Sequence, residues 1–176
     1  MNHSLAALSV LLLVACSGTR DTTKKDMSTT ASARVNPFTS ESKLSLGAPD
    51  FTQIHHGDFG PAMEDGMKQQ LAEIKAIDDN AEAPTFENTI IALEKSGQEL
   101  TRASKVFFNL VACNTNDSLQ ATNKDIAPKL AAHSDAINLD PKLFARVKTL
   151  YDQRATLGLD SVSDRLLDRY STRFVR

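Results

Sequence analysis

Apolar residues recur at helical spacing along most of the chain, most clearly over residues 84–111. In this stretch the apolar and small positions follow one another every three or four residues, which places them on one face of a helix. They are Phe86, Ile90, Leu93, Gly97, Leu100, Ser104, Phe107 and Val111. The opposite face carries Glu94, Lys95, Gln98, Glu99, Arg102 and Lys105. We predict one core helix of roughly 25 residues, about 38 Å long, with Thr85 as N-cap, Glu87 in its first turn and a close-packed neighbour at Gly97.

The same spacing predicts helices on both sides of this stretch. A first helix should run over residues 61–79. After the long helix, a third contains Pro128, which should kink it. Its apolar stripe consists of Leu119, Ile126, Leu130, His133 and Ile137.

Capping residues define two more helices towards the end of the chain. Asp140 as N-cap and Pro141 as first helical residue begin the fourth, and Gly158 should stop it. Ser161 and Asp164 resemble a capping box at the start of a fifth. Its inward residues are Leu166, Leu167, Tyr170 and Phe174. No alternating runs indicate strands, so we predict an all-α fold, an antiparallel array of about five helices.

The N-terminal residues follow a different pattern. Residues 5–15 are apolar but too short to cross a bilayer, which is typical of a signal peptide. Leu13-Val14-Ala15-Cys16 resembles a lipobox, so residues 1–15 are interpreted as a lipoprotein signal peptide and Cys16 as the lipidated residue. An ordinary secretory signal or a buried N-terminal helix are the alternatives. Residues 16–35 are rich in Ser and Thr and predict a flexible tether.

Residues 36–176 make up the part that can fold. Residues 36–60 are expected to lie extended over a helical surface, held by their apolar side chains. These are Leu44, Leu46, Phe51, Ile54 and Phe59. Cys113 is expected to be a small core residue. The chain of 176 residues is 41% hydrophobic with net charge −2, which fits one globular domain with a tail and offers no basic patch for nucleic acid.

The sequence offers no residues for catalysis or metal binding. It lacks a His-Glu-x-x-His motif, and its adjacent His55 and His56 are best interpreted as solvated loop residues. His133 lies on an apolar stripe and is expected to be a hydrogen-bonded core histidine. The acidic pairs Glu64-Asp65 and Asp78-Asp79 are interpreted as solvated surface. We therefore predict no catalytic residue and no metal ligand in this chain.

Particular residues nevertheless resemble a known family. Pro84-Thr85-Phe86-Glu87-Asn88-Thr89-Ile90, followed by Ala92-Leu93-Glu94 and Ser96-Gly97, closely resembles the opening helical segment of bacterial peptidyl-dipeptidases. These belong to the thimet-oligopeptidase-like zinc metallopeptidases. Weaker matches occur in the expected order across residues 36–176, including Asn36-Pro37-Phe38, His133-Ser134-Asp135-Ala136-Ile137 and Leu143-Phe144-Ala145-Arg146-Val147.

The resemblance implies the N-terminal helical part of a much longer enzyme. In that family, the two histidines of His-Glu-x-x-His and a further Glu hold Zn²⁺, and two helical lobes enclose a channel for short peptides. None of these zinc or catalytic residues has a counterpart here. The complete enzyme would release dipeptides from the C-terminus of short peptides. This chain, lacking the catalytic lobe, is expected to be inactive alone and lipid-anchored in the cell envelope, at the outer membrane facing the periplasm.

Two other interpretations remain open at this point. A free-standing helical lipoprotein could bind peptides or a partner protein, and would unfold cooperatively. A pseudoenzyme could be completed by a separately encoded catalytic chain. The interpretation as a fragment instead predicts exposed apolar residues around Leu166, Tyr170 and Phe174, with low stability or self-association.

Overall fold

The computed structural model of this chain describes residues 34–175, and helices account for most of residues 59–175. The helices are α1 (Phe59–Asp78), α2 (Ala92–Lys95), α3 (Gln98–Cys113), α4 (Asp117–Asn138), α5 (Pro141–Asp152) and α6 (Ser161–Val175). No strand occurs in this range, which confirms the all-α prediction. The predicted signal peptide, Cys16 and most of the predicted tether lie outside the described residues.

The predicted long helix begins as expected but is interrupted. Thr85 caps it: its hydroxyl accepts a hydrogen bond from the Asn88 N–H at 3.0 Å, and the Asn88 side chain accepts one from the Thr85 N–H at 2.8 Å. A wide, π-helical segment, Phe86–Ile91, then leads into α2. The backbone is extended at Ser96 and left-handed at Gly97 (φ +67°), so the prediction of one continuous helix is wrong.

Helix α1 is packed between α3 and α4. The Phe59 and Phe107 rings lie 5.3 Å apart near the start of α1 and the end of α3, while Glu73 near the end of α1 reaches Gly97 before α3. Helices α1 and α3 are therefore antiparallel. Short connections make α3 and α4, and likewise α5 and α6, antiparallel neighbours, as predicted.

Two apolar clusters form along α1. The first surrounds its N-terminal half and consists of Phe38, Phe59, Ala62, Met63, Met67, Ala103, Phe107, Leu119 and Ile126. The second surrounds its C-terminal end and consists of Ile74, Ile77, Ile90, Leu93, Leu143, Val147, Leu150, Leu167 and Tyr170. The predicted core faces of all five helical regions contribute to these clusters.

The structure corrects two predicted helix boundaries. Helix α5 ends at Asp152, well before Gly158, and a short 3₁₀ turn follows at Arg154–Thr156. Helix α6 is capped by Asp160, whose carboxylate accepts from the Ser163 N–H at 2.7 Å, and not by Ser161. This hydrogen bond lowers the pKa of Asp160. Helix α4 continues through Pro128 as one helix.

Several predicted burial states are also wrong. Cys113 is exposed, whereas Glu99, assigned to the polar face, is buried. In the N-terminal segment, only Ile54 and Phe59 of the predicted anchors pack on the helices. Leu44, Leu46 and Phe51 are exposed.

The end of α6 is better covered than a fragment would suggest. Tyr170 is buried, and Leu166 and Phe174 pack against the second cluster. The expectation of exposed apolar side chains around these residues is therefore wrong. Among residues 34–175, no helix combines the length and apolar character needed to cross a membrane.

Candidate functional site

A row of hydrogen-bonded polar side chains lies between the two apolar clusters. The Ser96 hydroxyl donates to the Leu93 carbonyl at 2.8 Å, and the Gln70 amide donates to the Ser96 oxygen at 3.2 Å. The Gln70 carbonyl oxygen then lies 2.8 Å from Nε2 of His133. Because this oxygen can only accept, Nε2 carries the proton and donates. The three side chains connect α1, α4 and the break before α3.

His133 is thereby held as a neutral core histidine, as predicted. It is 9% exposed, and burial lowers its pKa. Its other nitrogen, Nδ1, has no hydrogen-bond partner among the described residues. Since Nδ1 is also buried, it is not available to a ligand from the solvent. The imidazole is suited to positioning helices and not to acid–base chemistry.

Gly97 is positioned by the same row. Its N–H donates to the Glu73 carboxylate at 2.7 Å, and a Cβ at this position would lie 2.4 Å from the Gln70 side chain. The predicted close neighbour at Gly97 is thus confirmed. The reason for glycine is twofold, since the positive φ also disfavours residues with a Cβ.

A small cleft opens beside this row. Its volume is about 350 Å³, and its walls include Ser96, His133, Tyr170 and Arg173. The Tyr170 hydroxyl donates to the Glu94 carboxylate at 2.7 Å. Burial, together with this contact, raises the pKa of Tyr170. The hydroxyl therefore stays protonated and joins α6 to α2, without the reactivity of a catalytic phenolate.

A second, more apolar cavity lies between the N-terminal segment and α3. Its volume is about 480 Å³, and Phe38, Ile54 and Val106 form much of its apolar wall. Arg102 on α3 donates to the Phe38 carbonyl through two nitrogens, at 3.1 and 3.3 Å. This contact fixes one wall of the cavity to the helices.

Buried Arg146 on α5 organises the connection between α1 and α2. Its guanidinium donates to the carbonyl of Asn80 at 3.0 Å and of Glu82 at 3.3 Å, and to the side chain of Asn88 at 3.0 Å. A longer contact of 3.4 Å reaches Thr89. Arg146 therefore pairs with two loop carbonyls and with the Asn88 side chain, and so ties the loop to α5. Sequence reasoning identified the Leu143–Val147 stretch but not this role.

Two carboxylates face each other between α1 and α5. Burial, together with neighbouring Asp140, raises the pKa of Asp78 to about 6, and Oδ1 of Asp78 is buried without a hydrogen-bond partner. Asp140 is held in place as the N-cap of α5. The interpretation of Asp78 as a freely solvated side chain is therefore wrong. Asp79 beside it is exposed and pairs with Lys75 and Lys142.

The described residues do not fit a zinc site. His55 and His56 are exposed, as predicted, and the proton on Nε2 of His133 is used by Gln70. No group of three or more His, Cys, Asp or Glu side chains within residues 34–175 is arranged to hold a metal ion. No step of a zinc mechanism can therefore be assigned to these residues. The polar side chains described above can fix the helices relative to one another, and the clefts beside them can contact a partner.

Comparison with known proteins relates this scaffold to peptidases. No protein-family model matches the chain. The chain is 45% identical over 141 residues to the dipeptidyl carboxypeptidase of Escherichia coli (strain K12), and 44% identical over 140 residues to that of Salmonella typhimurium (strain LT2). Both matches cover 80% of this chain but 21% of the relative. Over most of its length, this chain is therefore homologous to a region of the bacterial dipeptidyl carboxypeptidases that amounts to about a fifth of those proteins.

Proposed function

We propose that this chain is the N-terminal helical part of a zinc metallopeptidase of the peptidyl-dipeptidase type. The complete enzyme would release C-terminal dipeptides from short peptides, with its zinc-binding region outside this chain. The observation that carries the proposal is the 45% identity over 141 residues to a dipeptidyl carboxypeptidase. The absence of a His-Glu-x-x-His motif from the sequence is consistent with it.

In this proposal the chain contributes structure to the enzyme and no reacting groups. The polar row and the Arg146 contacts fix the helices relative to one another, which would give the catalytic region a rigid support. Rigid support matters because small displacements of catalytic groups lower rates strongly. Short peptides would be ligands of the complete enzyme.

A peptidase assay of two proteins tests the proposal. The purified chain, supplied with Zn²⁺ and an N-blocked tetrapeptide, is expected to release no dipeptide. A chimera, in which the matched region of the E. coli enzyme is replaced by that of this chain, is expected to cleave the same peptide and to lose activity with a chelator. Stoichiometric, chelator-sensitive activity of the chain alone would contradict the proposal, as would an inactive but folded chimera.

The proposal extends to the location of the protein. We infer that Cys16 carries lipid and anchors the chain in the cell envelope, at the outer membrane facing the periplasm. The support comes from the sequence: residues 5–15 are apolar, and Leu13-Val14-Ala15-Cys16 at the end of this stretch resembles a lipobox. Lipid labelling followed by membrane fractionation tests it: Cys16→Ser should abolish both the label and the membrane association, whereas Cys113→Ser should change neither.

A second candidate function is a free-standing helical lipoprotein that binds peptides or a partner protein. The burial of Leu167 and Tyr170 favours it, because α6 then completes a core within residues 34–175. Thermal unfolding followed by circular dichroism separates the two candidates. A sharp, reversible transition with peptide binding by the chain alone favours the second, and a broad transition with aggregation favours the first.

A further inference from the structure

The N-terminal segment exposes apolar side chains that the helices leave uncovered. Leu46 is 103% exposed, Phe51 61% and Leu44 48%. We call these three residues, which lie close together in the sequence between positions 44 and 51, the apolar loop surface. Scattered exposed apolar residues are ordinary, but a local group of them marks an interaction surface.

The backbone at Leu46 supports the same conclusion. Leu46 has φ 58° and ψ 19°. Among residues 34–175 it is the only residue other than glycine with a positive φ. The conformation is part of a closed turn, since the Gly47 N–H donates to the Leu44 carbonyl at 3.0 Å and the Ala48 N–H to the Ser45 carbonyl at 3.2 Å. A left-handed leucine is unfavourable, and such residues cluster at binding and switch regions. The Leu46 side chain is fully exposed, so packing within residues 34–175 does not offset the cost of this backbone conformation.

The loop surface is held in place and adjoins an open apolar cavity. Leu44 and Gly47 line the 480 Å³ cavity, whose inner wall includes Phe38. Phe38 is 5% exposed and its ring lies 5.2 Å from that of Phe59 in the first apolar cluster. Arg102 fixes the cavity wall at Phe38, and the two turn hydrogen bonds within residues 44–48 fix the loop backbone, so together they form a prearranged surface. A prearranged surface loses little conformational freedom on binding.

We propose that the apolar loop surface and its cavity are the docking surface for the remaining part of a dipeptidyl carboxypeptidase chain. This inference rests on the proposed function and names the partner and the residues that meet it. The relatives are the argument for this occupant: the chain matches 21% of their length, so about four-fifths of a relative lies outside the matched region. Domains of one chain bury roughly 600–1,500 Å² against each other, and exposed apolar side chains beside an open cavity offer surface for such a contact.

Cysteine accessibility in two contexts tests the placement of this surface. Leu46→Cys and Leu139→Cys are made separately, in the full chain and in the chimera with the E. coli enzyme. Leu139 is the matched control, being a leucine 78% exposed in the turn after α4. Maleimide labelling is then followed at each site by mass spectrometry. We expect labelling at position 46 to be at least roughly tenfold slower in the chimera than in the isolated chain, and labelling at position 139 to stay within about twofold.

Other outcomes overturn the inference and leave the proposed function distinguishable. If the chimera is active but position 46 labels as fast as in the isolated chain, the surface is misplaced although the function stands. If both positions are protected equally, the loop surface has no special role. If light scattering finds the isolated chain dimeric with position 46 protected, the occupant is a second copy. If the chimera folds but is inactive, the proposed function is contradicted, and the inference that rests on it is contradicted with it.

Discussion

His133 on α4 donates a 2.8 Å hydrogen bond from Nε2 to the side-chain carbonyl of Gln70 on α1. The two residues are 63 positions apart, and their contact lies between the two apolar clusters. Gln70 also approaches Gly97, where the chain turns from α2 into α3. One amide side chain therefore aligns three segments, which makes it the most informative position for mutation.

Gln70→Ala is expected to lower the free energy of unfolding by about 1–3 kcal/mol, because it leaves the buried His133 N–H without an acceptor. Urea denaturation at pH 7.5 measures the change. The matched control is Gln98→Ala, since Gln98 is exposed and should change stability by about 0.5 kcal/mol or less. Equal effects of the two substitutions would show that the Gln70–His133 contact adds nothing to stability.

Gly97→Ala tests the break in the predicted long helix. Alanine would have to adopt φ +67°, at a cost of about 1–2 kcal/mol, and its Cβ would lie 2.4 Å from Gln70. We expect a total loss of roughly 2–4 kcal/mol in chemical denaturation.

Gly158→Ala is the control for the backbone alone. Gly158 has φ +63°, but a Cβ there would meet no atom within 4 Å. It should therefore show only the backbone cost, about 1–2 kcal/mol. If the two alanine variants are equally stable, the close approach of Gln70 to Gly97 is accommodated without strain.

The break at Gly97 shows where sequence patterns succeed and where they fail. Spacing placed Phe107 and Ile90 correctly in the core, because both sides of the break keep an apolar face towards α1. It could not reveal the break, since Gly97 fits the helical stripe as a small residue. The positive φ at Gly97 is favoured by the Glu73 carboxylate, 24 residues away in sequence. Only the fold brings these two groups together.

Contacts between distant charged residues were missed for the same reason. Asp78 was correctly placed near the end of the first helix, and Asp140 was correctly identified as an N-cap. Their proximity depends on how α5 packs against α1, which no local pattern encodes. Arg146 likewise gains its role from carbonyls on a loop more than 60 residues earlier.

Arg146→Lys tests the guanidinium contacts that hold the loop before α2. A lysine cannot reach the Asn80 and Glu82 carbonyls and the Asn88 side chain together. We expect a loss of about 2–3 kcal/mol, with faster amide hydrogen exchange in residues 80–89. Arg165→Lys, at an exposed position on α6, is the control and should leave both unchanged. Unchanged exchange in residues 80–89 of Arg146→Lys would rule out this role.

The carboxylate pair between α1 and α5 predicts how stability depends on pH. The pKa of Asp78 is about 6 in the folded chain, above its ordinary value of 3.8. The folded state therefore binds its proton more tightly than the unfolded state does. This contribution to stability is complete below pH 3.8 and is lost as the pH rises through 6. Above that range, the ionised Asp78 carboxylate lies against the side chain of Asp140, which disfavours its charge.

Asp78→Asn removes this repulsion, since its amide can donate to the Asp140 carboxylate. We expect the free energy of unfolding at pH 7.5 to rise by about 1 kcal/mol, a value reduced for partial solvation of the side chain. The gain should disappear near pH 4, where native Asp78 is protonated and can donate as well. Urea denaturation at both pH values measures it.

Asp79→Asn, at the neighbouring position, is expected to change the free energy of unfolding in the opposite direction. Hydrogen bonds from Lys75 and Lys142 lower the pKa of Asp79, so its contribution to stability is present above pH 3.8 and is lost on acidification. Asp79→Asn should therefore destabilise the chain at pH 7.5 and have little effect at low pH. If Asp78→Asn also destabilises the chain at pH 7.5, Asp78 does not oppose Asp140, and the ionised carboxylate is stabilised by Lys142.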